Sequence, residues 1–222
     1  MKPINKLRIG VVGPMGVGKT SLVNFLSRDW KIRVISENFN KSPFLEKYYK
    51  EPKRYSFSSQ TWFYENRIRQ IMNFNKYKKA IVDNDLEGNK VFALAQYKMD
   101  FMDKDEYSLY QRITSLLDGN NNYAKTNLLL YTFAPHKIVE KRIFERARDF
   151  ELKRLKENKS NFSRYIKVLC EGFEVWYRKN YKTMNIFKVN SGEINYLRNS
   201  KVQVNLRKEI ENFADNINIK II

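Results

Sequence analysis

Residues 7–20 read LRIGVVGPMGVGKT, and this stretch indicates the fold. A short run rich in β-branched residues, 7–12, leads into the pattern G-x-x-x-x-G-K-T over 13–20. A buried parallel strand that enters a phosphate-binding loop and then a helix is typical of this pattern. Four of the eight glycines in the chain lie between positions 10 and 18. We therefore predict a P-loop that binds ATP or GTP.

The residue types of this loop suit a bound phosphate. Glycines let the backbone approach phosphate oxygens closely, and the helix that follows directs N–H groups and a positive dipole end at the anion. We expect Lys19 to neutralise the β- and γ-phosphates and Thr20 to reach Mg²⁺. A glycine-rich turn without a ligand is disfavoured because the pattern and its strand–helix context agree. The predicted ATP-binding residues of the loop are Gly13, Gly16, Gly18, Lys19, Thr20 and Ser21.

The rest of the chain alternates between strand and helix patterns. Further strands are predicted at 31–35, 79–83, 127–133 and 184–190. Helices are predicted from about Gly18, at 44–50, 57–75, 90–118 and 136–148, within 151–180, and at 201–214. Such alternation predicts a three-layer α/β fold with a five-stranded parallel sheet flanked by helices. Neither an internal repeat nor a linker is apparent, so we predict a single domain over 1–222, with an exposed loop at 118–127.

Composition limits the class of protein. The 222 residues are 42% hydrophobic and 14% aromatic, enough for a packed core. With 42 Lys plus Arg against 24 Asp plus Glu, the formal net charge is +18, which attracts anions. The single cysteine, Cys170, excludes an internal disulfide and fits a reducing compartment. We find no signal peptide and no run of about 18 apolar residues, so we expect a cytoplasmic protein without a membrane partner.

A P-loop alone leaves small-molecule kinases, GTPases and motor ATPases open. The sequence contains no base-reading NKxD-like motif after a strand, and the chain is short for most motor ATPases. A kinase that acts on a small metabolite is therefore favoured.

Three further segments carry a resemblance to a known family. They are ISE at 35–37, SPFLEKYYKEPKRYSFSSQTWFYENR at 42–67 and RIFERARDFE at 142–151. The chain resembles the deoxynucleoside kinases, of the deoxyguanosine and deoxyadenosine kinase type, from about residue 7 to 190. The resemblance implies a P-loop kinase fold with a short lid at about 142–158. It also implies Mg²⁺-dependent transfer of a phosphoryl group from ATP to the 5′-hydroxyl of a deoxynucleoside, with a purine favoured, in nucleotide salvage.

The resemblance implies roles for individual catalytic residues. Glu37 corresponds to the family's general base on the 5′-hydroxyl, and Asp83 to the acid that assists Mg²⁺. Arg142 is expected at ATP, while Arg146 and Arg148 are expected to stabilise charge on the transferring group. A solvated, charged helix face is the alternative interpretation of these arginines.

Another set of residues is expected to contact the nucleoside. By resemblance, Tyr49 and Glu151 bind the sugar 3′-hydroxyl, and Phe92 stacks on the base. Gln60 reads the base edge, a role that suits an amide because it can donate and accept at once. Ordinary core packing is the alternative for the aromatic residues. The pocket is expected to be closed by Phe39 or Trp62.

The end of the third strand departs from the family. Relatives carry D-R-S or E-R-S, whereas this chain has Asp83 followed by Asn84, so the arginine that contacts the 5′ oxygen is replaced. Losing one charge-assisted hydrogen bond slows a reaction by about 10- to 100-fold if the bond acts only in the transition state. We expect another cation, Arg67 or Arg69, to reach the gap, which is the space that the arginine side chain fills in relatives.

Two rival interpretations follow from these features. The replacement at 84 favours a diverged, weakly active or inactive nucleotide-binding relative that serves as a sensor or a partner subunit, and Asp85 and Glu87 make this region more acidic than in relatives. The net charge of +18 suggests nucleic acid binding. Nucleic acid is nevertheless not expected as a partner, because the basic residues are spread along the chain and no groove-reading module occurs. The amphipathic segments 57–75 and 90–118 would allow a homodimer.

Overall fold

The computed structural model of the protein describes residues 6–119, 123–146, 159–193 and 199–221. Five parallel strands form one sheet in the order β2-β3-β1-β4-β5. This confirms the predicted five-stranded parallel sheet. The strands are β1 (Leu7–Val12), β2 (Arg33–Ile35), β3 (Lys79–Asp83), β4 (Leu128–Phe133) and β5 (Ile186–Asn190).

Helices connect the strands and cover both faces of the sheet. They are α1 (Lys19–Trp30), α2 (Leu45–Lys50), α3 (Pro52–Asn73), α4 (Leu86–Lys98), α5 (Lys104–Asp118), α6 (His136–Arg146), α7 (Lys159–Asn180) and α8 (Ser200–Asn216), with a short 3₁₀ turn at Phe39–Lys41. Within the described ranges, no helix is both long and apolar enough to cross a bilayer.

Alternate residues of the buried strands pack on opposite faces. In β4, Leu128 and Leu130 contact the core beneath α1 and α8, whereas Leu129 and Tyr131 contact the core beneath α4 and α7. Each of these side chains is at most 5% exposed. A strand covered on both faces reads as a continuous apolar run, which is why NLLLYTF was recognisable in the sequence. The result is the predicted three-layer arrangement.

The predicted segment 90–118 is two helices, α4 and α5, rather than one. Asp103 caps α5 by accepting a hydrogen bond from the Glu106 amide, while the Glu106 carboxylate accepts one from the Asp103 amide. Asp100 adopts a left-handed backbone conformation between the helices, with φ of 55°. The D-x-x-E pattern of a capping box was present at 103–106 and marks this helix start.

Two other predictions need correction. Helix α3 begins at Pro52, five residues before the predicted start, because proline favours the first turn of a helix. The loop predicted to be exposed at 118–127 contains Tyr123 and Ala124, which are buried. The Tyr123 hydroxyl donates to Asp118, and the Ala124 amide donates to Asn75, so these two residues are fixed against the core.

Candidate active site

The P-loop joins the end of β1 to the start of α1. Gly13, Gly16 and Gly18 all have positive φ, of 149°, 74° and 100°. A Cβ atom at Gly13 would lie 2.1 Å from the carbonyl oxygen of Thr132, so only glycine fits there. Lys19 opens α1, and its ammonium donates to the carbonyl oxygens of Gly13 and Pro14 at 2.8 and 3.0 Å. The loop therefore has the backbone that the sequence predicted.

Thr20 and Asp83 meet at the carboxyl edge of the sheet. The Thr20 hydroxyl donates to Asp83 Oδ2 at 2.7 Å. The other oxygen, Oδ1, is buried and has no hydrogen-bond partner among the described residues. An unsatisfied carboxylate oxygen beside a hydroxyl oxygen suits Mg²⁺, which needs few protein ligands when phosphates and water supply the rest. No group of three or more His, Cys, Asp or Glu able to hold a metal occurs in the described parts of the chain.

A cavity of about 670 Å³ lies beside the P-loop. Two predicted residues, Gly13 and Asp83, lie behind its wall, where they bond to Lys19 and Thr20. Two others, Arg148 and Glu151, lie outside the described residues, as does most of the predicted lid. The remaining predicted residues all line the cavity: Gly16, Gly18, Lys19, Thr20, Ser21, Glu37, Tyr49, Gln60, Phe92, Arg142 and Arg146.

Glu37 follows β2 and lines the cavity that Lys19 also lines. Burial raises the pKa of the Glu37 carboxyl, while the charges of Lys19 and Arg67 oppose that rise. Asn84 opposes it as well, by donating from Nδ2 to Glu37 Oε1 at 2.8 Å. The net result is a carboxylate more basic than an ordinary glutamate, as a general base requires.

The two cations considered for the gap at Asn84 differ in position. Arg67 is 3% exposed, and its guanidinium donates to the carbonyl oxygens of Ile35, Ser36 and Asp83. It thereby ties the ends of β2 and β3 together, and its positive charge acts on Glu37. Arg69 does not reach the gap, because it points outward and pairs with a glutamate one turn earlier in α3.

The extra acids after β3 face away from the cavity. Asp85 caps α4 and accepts a hydrogen bond from the Thr126 hydroxyl at 2.6 Å. Glu87 accepts from Lys90 at 2.6 Å and from Trp176 Nε1 at 3.1 Å. Neither acid lines the cavity. Their negative charges are thus engaged by structural contacts instead of facing a bound phosphate.

Tyr49, Gln60 and Phe92 line the same cavity as the P-loop residues. Gln60 is 6% exposed, and none of the described residues bonds to its side-chain amide. Because Gln60 lines the cavity, its amide can pair there with a bound ligand. Phe92 lies beside Lys19, whose ammonium is 5.7 Å from the ring centroid. Of the aromatic residues expected to close the pocket, Phe39 lines it, whereas Trp62 does not and packs edge-on against Phe63, which does.

Sequence reasoning missed several residues of the cavity wall. Asn89 and Gln96 lie on the face of α4 that carries Phe92, at positions i, i+3 and i+7. Gln96 accepts from the Ser56 hydroxyl and is hydrogen-bonded to Tyr165, whose pKa burial raises to about 12. Polar residues at helical spacing within LEGNKVFALAQYK were the signal that could have found them.

Arg142 connects the P-loop to the segment after β5. Its guanidinium donates to the carbonyl oxygen of Val17 at 3.4 Å and to the carbonyl oxygen of Ser191 at 2.7 Å. The Ser191 hydroxyl also donates to Val17 at 2.7 Å. Arg142 therefore braces the loop as well as lining the cavity.

Comparisons with known proteins agree with this geometry. The family model described as deoxynucleoside kinase matches residues 9–215. The deoxyadenosine kinase of Lactobacillus acidophilus is 27% identical over 202 residues, which cover 90% of this chain and 92% of that protein. The deoxyguanosine kinase of Bacillus subtilis is 29% identical over 150 residues, covering 65% of this chain and 69% of the relative.

Solved structures show the same fold. Deoxyadenosine kinase from M. mycoides with bound dCTP superposes with a TM-score of 0.77 at 22% identity, covering 93% of this chain and 99% of that one. The same enzyme with bound dATP gives a TM-score of 0.76 over equal shares of both chains. With the family model spanning nearly all of its length, the chain belongs to the deoxynucleoside kinase family and is a kinase with the P-loop fold.

Proposed function

We propose that this kinase transfers the γ-phosphoryl group of ATP to the 5′-hydroxyl of a purine deoxynucleoside, in a Mg²⁺-dependent step of nucleotide salvage. The observation that carries the proposal is that Lys19 and Glu37 line one cavity of about 670 Å³. A cationic phosphate loop and a basic carboxylate that share a cavity are the two groups needed to hold a donor and to activate an acceptor.

The donor side of the reaction is assigned to the P-loop. Backbone N–H groups of 13–20 and the N-terminus of α1 bind the phosphates, and Lys19 supplies a positive charge. Thr20 and Asp83 would hold Mg²⁺, whose charge offsets that of the phosphates when bound. Arg142 keeps the loop braced against Ser191 and contacts ATP at the cavity wall, while Arg146 and Arg148 stabilise charge that develops on the transferring group.

The acceptor side is assigned to Glu37. Its carboxylate takes the proton of the 5′-hydroxyl as that oxygen forms a bond to the γ-phosphorus and the bond from phosphorus to the bridging oxygen of ADP breaks. The products are a nucleoside 5′-monophosphate and ADP. Because the pKa of Glu37 is raised, the carboxylate is a stronger base than an ordinary glutamate.

The nucleoside contacts are assigned to Tyr49, Gln60, Phe92 and Glu151. Tyr49 and Glu151 bind the sugar 3′-hydroxyl, Phe92 packs against the base, and the Gln60 amide pairs with the base edge. A purine is supported by relatives named deoxyadenosine and deoxyguanosine kinases.

The main rival, an inactive nucleotide sensor, has less support. It rested on the replacement at Asn84, next to which Asp85 and Glu87 add negative charge. The acids are turned away from the cavity, and Asn84 contacts the carboxylate of Glu37. A homodimer and a cytoplasmic location stay predictions.

A substrate panel tests the proposal. The protein is incubated with Mg·ATP and each of the four deoxynucleosides, and 5′-monophosphate and ADP are measured together. We expect equal amounts of the two products, with a purine deoxynucleoside phosphorylated fastest. Tight ATP binding without product from any nucleoside would support the sensor and reject the kinase assignment.

A further inference from the structure

A chain of three polar side chains forms the acceptor wall of the cavity. Asn84 Nδ2 donates to Glu37 Oε1 at 2.8 Å and to Asn89 Oδ1 at 2.9 Å. All three residues line the cavity. The two N–H groups of the Asn84 amide are therefore both used, one on the carboxylate and one on helix α4.

The chemistry of the partners fixes the direction of these bonds. An ionised carboxylate only accepts hydrogen bonds, so the NH₂ group of Asn84 must face Glu37. The same NH₂ group must then meet the oxygen of the Asn89 amide. Asn84 Oδ1 is buried, and none of the described residues donates to it. Asn84 consequently acts in this contact as a donor.

The local backbone is built around this amide. Asn84 has φ of 61°, a left-handed conformation that asparagine tolerates better than most residues. A Cβ atom at Gly88 would lie 2.7 Å from Asn84 Oδ1, so glycine in the first turn of α4 makes room for the amide. Asn84 and Asn89 are 4% and 3% exposed. An amide so confined has few other orientations available.

We infer that Asn84 is a positioning residue for Glu37 and that Asn89 fixes the orientation of the Asn84 amide. Glu37 Oε2 is then the oxygen available to the acceptor hydroxyl. This inference rests on the proposed function, because it requires Glu37 to act as the base. Asn84 touches Glu37 and acts through it. The residue at position 84 thus supplies a donor to the carboxylate, a contact different from the one to the 5′ oxygen that the resemblance implied to be lost.

A double-mutant cycle tests the inference. The kcat and KM values for the deoxynucleoside, and the KM for ATP, are measured for the wild type, Asn84→Gly, Glu37→Gln and the double variant. Glycine preserves the left-handed backbone and removes the amide. We expect Asn84→Gly to lower kcat by about 10- to 100-fold while the KM for ATP stays within about twofold. In the Glu37→Gln background the same change should alter kcat by less than about twofold, because no base remains to be positioned.

A matched control separates positioning from folding. Asn218 also has a left-handed backbone, with φ of 59°, and lies exposed after α8. Asn218→Gly should leave kcat unchanged. An Asn84→Gly protein with wild-type kcat, or an equal loss in the presence and absence of Glu37, would overturn the inference while leaving the kinase assignment intact. Wild-type turnover by Glu37→Gln would overturn the inference together with the assignment of Glu37 as the base.

Discussion

The two walls of the cavity are built in different ways. On the phosphate side, nine consecutive residues, 13–21, supply the glycines, Lys19 and Thr20. On the acceptor side, the side chains come from the end of β2, from α2 and α3, and from the start of α4. A binding site for a common group, the phosphate, is encoded by one local motif. A site for one particular acceptor depends on how distant elements pack.

Lys19→Met should produce the largest effect, because it removes the charge at the centre of the local motif. We expect kcat to fall by about 10³-fold, the upper range for losing one preorganised donor to a transition-state charge. Methionine keeps most of the side-chain volume, so the melting temperature should change little. Lys208→Met, at an exposed position of α8, serves as the control and should leave kcat unchanged. A Lys19→Met protein with normal turnover would contradict the assignment of Lys19 to the phosphates of ATP.

Glu37→Gln should have the next largest effect and reports on the acceptor wall. Loss of a general base lowers kcat by about 10²- to 10⁴-fold. Burial raises the pKa of Glu37 above its ordinary value, and the base works only when ionised. Wild-type activity should therefore fall as the pH drops through that raised pKa, at a higher pH than an ordinary glutamate would give. A pH–rate profile checks this. The residual activity of Glu37→Gln should not show this decrease at low pH.

Gln60→Leu should have a smaller effect confined to the nucleoside. Removing the amide leaves the base edge unpaired, which costs about 1–3 kcal/mol, or roughly 5- to 150-fold in kcat/KM. The KM for ATP should not change, since the amide is assigned to the base and not to the phosphates. Steady-state kinetics with each substrate varied in turn check this, with Gln111→Leu at an exposed site of α5 as the control. A rise in the KM for ATP instead would place Gln60 on the donor side.

Asp103→Ala should have the smallest effect, and on stability alone. It removes the capping box at the start of α5, which costs about 1 kcal/mol in the free energy of unfolding. Because α5 supplies no residue to the cavity, kcat should match the wild type. Urea unfolding measured beside kinetics checks both expectations. A loss of turnover in Asp103→Ala would show that the acceptor wall depends on the packing of α5, although α5 contributes no residue to it.

Much of this architecture was predictable because its signals are local. The strand runs at 7–12 and 79–83 were found with their correct bounds, since buried parallel strands are continuous in apolar residues. Asn89 and Gln96 were missed because polar residues on a helix ordinarily face solvent. Arg67 was considered for the gap, but no pattern shows that its guanidinium binds three carbonyl oxygens.

The sequence alone determined that a strand, a glycine loop and a helix follow one another with Lys19 and Thr20 at the junction, because backbone conformation over a few residues responds to local side chains. Only the tertiary structure decided that Asn84 donates to Glu37, 47 residues away in the chain. That contact exists because the pairing of β2 with β3 brings their carboxyl ends together, and strand pairing depends on the packing of the whole sheet.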